Sequence, residues 1–300
     1  MLTTAADTYL AVRRAAGFAL CNEGFQLKSF AAFSEGRGQH HIRAAIAIEW
    51  AGLGQPRLQR ARRLGTVIRF ARYLHAEDKR HEIPPATFGT ENARRPTPYV
   101  LTTTDIQRLI SAAAASMPRA ICGATYSTLF SLLACTGLRV SEAIHLRMDD
   151  ITPEGLVIQR TKFRKSRLVP LHETAVAGLE RYLQQRRQYA PMADHVFVSV
   201  VRKPLRRADV DRAFGIAARE AGLPNTRRHP TPHALRHAFA TRALSTCPDG
   251  RDAITRHMLA LSAYLGHSSV AHTYWYLEAV PDLMRNIAEQ AERVATGRMS

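Results

Sequence analysis

Near the end of the chain, the stretch Leu265-Gly266-His267-Ser268-Ser269-Val270-Ala271-His272-Thr273-Tyr274-Trp275-Tyr276 sets a histidine just after a glycine and a tyrosine nine residues beyond it. A phenol becomes a nucleophile only when its proton is removed and the charge it creates is stabilised. Three upstream stretches supply cations: Thr136-Gly137-Leu138-Arg139-Val140-Ser141-Glu142, Thr161-Lys162-Phe163-Arg164-Lys165-Ser166-Arg167 and Thr231-Pro232-His233-Ala234-Leu235-Arg236-His237. The chemistry that fits this set is attack on a phosphodiester. The non-bridging oxygens gather charge and need fixed cations, the nucleophile must lose a proton, and the leaving oxygen must gain one.

Arg139 and Arg236 suit the first demand, because a guanidinium is always charged and forks onto two phosphate oxygens. Glu142 lies one helical turn beyond Arg139 and can orient it. His233 and Arg236, at i and i+3, share a helix face. Lys162 falls in a basic turn between two strand-like runs, where a long side chain can reach into a groove. His267 follows a glycine-marked helix end. Tyr276 is the candidate nucleophile rather than Tyr274, since two residues along a helix point to nearly opposite sides. Read singly, each residue has a plain structural role. Arg139 with Glu142 could be a surface pair, His233 a cap, the Lys162–Arg167 turn a solvated tip, and Tyr276 a packing residue. Their joint order and spacing favour the chemical reading.

The elements that must hold these residues follow from periodicity. Residues 5 to about 86 read as helices. Tyr9, Val12 and Ala16 recur at helical spacing before Gly17. Phe25, Leu27, Phe30 and Phe33 form a second group closed by Gly36-Arg37-Gly38, and a third segment covers about 41–50. Over 57–75, Leu64, Val67, Ile68, Ala71 and Leu74 fall on one stripe. Arg57, Arg60, Arg62, Arg63, Arg69 and Arg72 belong to the same segment as candidate phosphate contacts, as do Arg164, Lys165 and Arg167 downstream. Prolines at 84, 85, 96 and 98 mark an extended linker. The predicted organisation is a helical domain over 1–86, a linker over 87–98 and a second domain over 99–300.

That second domain opens with an expected capping box of Thr104 and Gln107. A helix over about 119–135 stops at Gly137, which can take the left-handed C-terminal conformation. A short helix over 140–147 precedes strands over 156–158 and 168–171. Helices over 173–189 and about 206–221 follow, with a further strand over 195–199. Thr231 is the expected N-cap and Pro232 the first helical residue of the next helix. The last helices are placed around 254–264, 273–278 and 282–294.

Lys and Arg total 42 against 25 Asp and Glu, a formal charge of +17, with a basic excess on both sides of the linker. This points to a polyanionic partner, nucleic acid before membrane. The four cysteines are scattered without a CxxC pair, which argues against zinc or a disulfide framework and for a reducing compartment. The N-terminus has no basic segment followed by an apolar one, so no signal peptide is expected. The apolar run around Leu129 is too short to span a bilayer.

From Thr136 to Tyr276 the motifs resemble those of the tyrosine recombinase (phage integrase) family, and the resemblance extends over essentially the whole chain. It rests on Thr136–Glu142, Lys162 before Arg167-Leu168-Val169-Pro170-Leu171, His233–His237, Leu265-Gly266-His267 and Tyr276. The resemblance implies a mostly α protein with a small β-hairpin or sheet: a helical core-binding (SAM-like) domain and a mixed α+β catalytic domain, clamped around double-stranded DNA. It implies Tyr276 as nucleophile, with Arg139, Lys162, His233, Arg236 and His267 in support and Lys162 as general acid for the 5′-oxygen. It also implies a tetramer on paired sites through a C-terminal helix over about 281–296, with other recombinases as candidate partners. The expected location is the cytoplasm, on the bacterial nucleoid when DNA-bound. No metal or other cofactor is expected, because a phosphotyrosine conserves the bond it replaces. The ending Tyr274–Leu277 with Val280–Met284 is similar to members carried by transposon-like elements. The stretch from Arg236 to His267 departs from compact members by an apparent insertion, Cys247-Pro248-Asp249-Gly250-Arg251. Two other readings share the composition: a catalytically idle DNA-binding subunit, and a type IB topoisomerase-like enzyme that nicks and rejoins without pairing two sites.

Overall fold

Among the described residues, four helices build the first of two units, Met1–Arg95: α1 (Leu2–Ala15), α2 (Cys21–Glu35), α3 (Ala44–Gly52) and α4 (Arg57–Glu77). The second unit is Pro96–Ser300. The computed structural model describes residues 1–89, 99–117, 121–159, 166–224, 229–246, 251–266 and 269–276. The turn over 160–165, with Lys162, Arg164 and Lys165, lies outside them, as do His267, most of the linker, the expected insertion over 247–250 and the expected helix over 282–294.

In the first unit the α4 stripe is buried as its spacing predicts: Leu64, Val67, Ile68, Ala71 and Leu74 join Phe70 in the core. Tyr9 of α1 packs on Phe70 at 5.4 Å between ring centroids, and Phe30 of α2 meets Trp50 of α3 edge-on at 5.5 Å. Phe25 departs from its expected place in the apolar pattern. It is 78% exposed, because Leu27, Phe30 and Ala31 take the inward face of α2. α3 starts later than expected, at Ala44, where the Glu82 carboxylate accepts the Ala44 N–H at 2.8 Å and the Arg43 guanidinium at 2.9 Å. An acidic group at a helix N-terminus satisfies an orphan donor and complements the dipole. That cap comes from 38 residues away, beyond any local signal.

The second unit begins with α5 (Thr103–Ala115). Its capping box is Thr102 with Asp105, not Thr104 with Gln107. The shorter aspartate reaches back to the Thr102 N–H at 3.1 Å. α6 (Cys122–Thr136) and α7 (Val140–Ile144) follow, then a tight turn at Met148–Asp150. β1 (Ile151–Thr152), β2 (Gly155–Ile158) and β3 (Arg167–Val169) form an antiparallel sheet in that order, pairing Leu156 with Val169 and Ile158 with Arg167. β1 is too short to leave a periodic signal. α8 (Glu173–Tyr189) and α9 (Arg207–Glu220) match their predicted ranges closely. The expected strand over 195–199 is not one: it makes isolated bridges, Arg147 to His195 and Val198 to Pro204, and its apolar residues fill the core.

α10 (His233–Ser245) starts one residue later than predicted, with Pro232 in the capping position. α11 (Arg251–Leu265) and the single turn α12 (Ala271–Tyr274) complete the described elements. The main core joins α5 to α9, with Phe130 edge-on to Phe214 at 5.4 Å. A smaller cluster of Ala240, Leu244, Met258, Leu261, Leu265 and Tyr276 fills the space beside α10 and α11. Among the described residues no helix is long and apolar enough to cross a membrane.

Candidate active site

Two helix ends decide where the cations sit. α6 ends at Gly137 with φ +63°, and α11 at Gly266 with φ +65°. A side chain resists this left-handed backbone. A Cβ would also lie 2.5 Å from Cδ1 of Phe239 at Gly137, and 2.8 Å from Nη1 of Arg167 at Gly266. Both turns present carbonyl groups that have no partner within their helix, at the negative end of the helix dipole. Arginines occupy them. Arg236 donates from Nη1 to the Gly137 carbonyl at 2.6 Å and from Nη2 to the Leu265 carbonyl at 2.7 Å. Arg139 donates from Nη2 to the Gly266 carbonyl at 2.7 Å. Residues as far as 127 positions apart in sequence are thereby tied together.

Glu142 organises the rest. Its carboxylate accepts from the Arg139 N–H at 2.9 Å and Nη1 at 2.8 Å, and takes the Arg167 fork at 3.0 and 2.8 Å. The predicted pairing of Arg139 with Glu142 is present, and it is largely buried rather than a surface pair: the Glu142 side chain is 9% exposed. Burial alone would raise this carboxyl. The Arg167 fork, the Arg139 N–H and the positive charges outweigh it and hold the pKa at about 2. Arg167, predicted as a DNA contact, pairs its guanidinium with Glu142 and has 13% of its side chain exposed.

Arg236 is 2% exposed. Burial, then the like charge of Arg139, pushes its pKa down to about 10, so it stays charged at neutral pH. The Tyr276 side chain hydrogen-bonds it. Tyr276 is itself 2% exposed while Tyr274 is 52% exposed, which separates the two tyrosines as their helical spacing predicts. His233 is exposed at the first residue of α10 and packs edge-on against His237 at 4.4 Å between ring centroids. His237 Nδ1 lies 3.3 Å from the Tyr276 hydroxyl, and its ring also meets Trp275 at 5.0 Å. His237 was absent from the predicted set. Its i+4 spacing from His233 and its place beside Arg236 were the available signals. Arg139, Glu142, His233, Arg236 and Tyr276 are thus drawn together in the second unit, whereas Lys162 and His267 fall outside the described residues.

The model of the phage integrase family matches residues 99–281, which include every residue of this cluster. The chain belongs to the phage integrase family. A Sinorhizobium fredii protein described as an integrase/recombinase, y4rB, is 38% identical to this family member over 96% of both chains. Two solved structures share the fold. XerH site-specific recombinase bound to palindromic difH substrate, a post-cleavage complex, has a TM-score of 0.67 at 18% identity, covering 97% of this chain and 85% of that one. A lambda integrase tetramer bound to a Holliday junction has a TM-score of 0.65 at 19% identity, covering 92% and 76%.

The first unit of this integrase-family chain carries a groove of about 700 Å³ between α2 and α4, lined by residues that include Asn22, Gln26, Arg62, Thr66 and Arg69. The predicted arginine set divides here. Arg62, Arg69 and Arg72 are exposed. Arg60 instead donates to the Gln55 carbonyl at 2.7 Å, and Arg63 lies over the Trp50 ring at 4.0 Å, so both are engaged in shaping the α3–α4 turn. The Arg57 side chain is outside the description. The same unit holds three possible metal ligands, His41, Asp78 and His81, with ligand atoms within 4.8 Å of one another. Two of them already have partners: His81 Nδ1 accepts the Ile42 N–H at 3.1 Å, and Arg80 forks onto Asp78.

Proposed function

We propose that this protein is a site-specific DNA recombinase that cleaves and rejoins strands through a 3′-phosphotyrosine at Tyr276. The observation that carries this reading is the hydrogen bond between Tyr276 and the buried, charged Arg236, beside Arg139 on its glycine turn. A phenol, two guanidiniums and an exposed histidine are what in-line attack on a phosphodiester requires. Arg139 and Arg236 neutralise the non-bridging oxygens, His233 and His267 donate to them, and Lys162 protonates the departing 5′-oxygen. The phosphotyrosine keeps the energy of the broken bond, so rejoining is the reverse attack by a 5′-hydroxyl and consumes no nucleotide.

The substrate is double-stranded DNA. The basic excess in both units supports contacts to the duplex from each, with Arg62, Arg69 and Arg72 serving the first unit. The lambda integrase tetramer on a Holliday junction supports four protomers on two paired sites. The intact set of side chains disfavours an idle accessory subunit. A two-site recombination assay set against a one-site relaxation assay separates a recombinase from a topoisomerase-like enzyme.

The deciding experiment is adduct formation. Tyr276→Phe abolishes the covalent protein–DNA adduct and leaves DNA binding nearly intact, while Tyr274→Phe forms it. An adduct that survives in Tyr276→Phe and disappears in Tyr274→Phe overturns the assignment.

A further inference from the structure

We propose that His237 is the general base that takes the Tyr276 proton during strand cleavage, an inference that rests on Tyr276 being the nucleophile. Its Nδ1 lies 3.3 Å from the Tyr276 hydroxyl. Arg236, one residue earlier, hydrogen-bonds the same tyrosine. A phenol that receives a bond from a guanidinium can pass its own proton only to another acceptor, and the His237 ring nitrogen is one. With the ring proton on Nε2, the Nδ1 lone pair faces the hydroxyl. Hydrogen bonds of this kind are commonly long before substrate arrives and shorten in the reacting complex.

The ring is held in that orientation from two sides. His233 packs edge-on at 4.4 Å and Trp275 edge-on at 5.0 Å. Among the described residues, the titratable and charged groups facing His237 include His233 on its own helix, Tyr276 beyond α12 and, through Tyr276, Arg236 with Arg139 and Glu142 behind it. Tyr276 is 2% exposed, so its proton has little access to bulk water and needs a fixed acceptor. His233 is exposed and packs on the His237 ring. The proposal divides the two histidines: His233 keeps its role toward the phosphate and His237 serves the nucleophile.

The step balances. The Tyr276 oxygen forms a bond to phosphorus as its proton moves to His237 Nδ1. The phosphorus–O5′ bond breaks, its electron pair goes to the 5′-oxygen, and that oxygen takes the proton assigned above to Lys162. In rejoining, the 5′-hydroxyl returns its proton to Lys162, and the departing phenolate recovers its own from the imidazolium of His237.

The test is the rate of adduct formation on a nicked suicide substrate built from the DNA flanking the gene, followed under single-turnover conditions across pH. His237→Asn sets an amide oxygen near the place of Nδ1, where it accepts the phenol's bond but cannot carry its proton. It is expected to cleave about a hundredfold more slowly than the parent near neutral pH. Its rate should climb with pH as hydroxide takes over, while the parental rate levels off once the imidazole is neutral. Added imidazole should accelerate His237→Gly and leave the parent unchanged. Gel shift and circular dichroism establish that the variants bind DNA and fold. A His237→Asn rate within about threefold of the parent overturns the proposal, as does a profile that is lower but parallel to the parent's, which would leave His237 a positioning role alone. If the parental protein forms no adduct, the phosphotyrosine reading itself fails, and that outcome is distinct from either.

Discussion

Glu142→Gln keeps the shape of a buried side chain and removes its charge. The carboxylate neutralises two guanidiniums, those of Arg139 and Arg167, through three contacts of 2.8 to 3.0 Å, and also accepts the Arg139 backbone N–H at 2.9 Å. Its pKa is about 2 in the folded protein against an ordinary 4.5. A carboxyl whose pKa is depressed by folding contributes stability that is present above about pH 4.5 and drains away as the pH falls towards about 2. The difference corresponds to about 3 kcal/mol at neutral pH. Breaking a buried ion pair from one side costs about 3–5 kcal/mol, the same order. For a unit of this size that is a fall of about 6–12 °C in melting temperature. Thermal unfolding followed by circular dichroism, for parent and variant at about pH 7.5 and about pH 3.5, measures it. The gap should narrow at the lower pH, because the parent then loses what the variant never had. Equal stability at neutral pH, or a gap that stays constant as the pH falls, would refute the view of Glu142 as the charged hub of the site.

Gly266→Ala should lower the cleavage rate more than DNA binding, since the added Cβ meets the Arg167 guanidinium at 2.8 Å and comes within 3.4 Å of Arg139 Nη1; equal cleavage in single-turnover assays would count against this. A 5′-bridging phosphorothiolate, whose sulfur leaves without a proton, should rescue Lys162→Ala; failure of rescue with binding intact would assign Lys162 to phosphate holding instead. DNA affinity should fall with salt at a log–log slope near −5 for about six phosphate contacts, and a slope shallower than about −2 would contradict contacts from both units. Truncation after Ala279 should keep single-site binding and lose paired-site complexes on native gels, and paired-site assembly at parental yield would exclude a C-terminal segment that docks between protomers.

The residue types and their spacing were enough to point to the family. Arg139, Glu142, His233, Arg236 and Tyr276 stand out as candidates because the proposed chemistry calls for residues of particular kinds, and because helical periods put partners at i+3. The α4 stripe and the bounds of α8 were legible for the same reason: a repeat of 3.6 is a local property. What required the tertiary structure were contacts between distant segments. The Glu82 cap that starts α3 at Ala44 cannot be seen from either stretch alone. Arg167 reads as one more basic residue of a solvated turn until β3 carries it to Glu142, 25 residues upstream. Arg60 and Arg63 look like the other arginines of α4 until the α3–α4 turn engages them. The local signals at His237, its i+4 spacing from His233 and its place beside Arg236, do not by themselves assign it a role. Its meaning comes from Tyr276, 39 residues later, which the packing of α10 against α11 and α12 brings within 3.3 Å. Local sequence determines which groups are present and which way each helix faces; only the folded chain decides which of those groups meet.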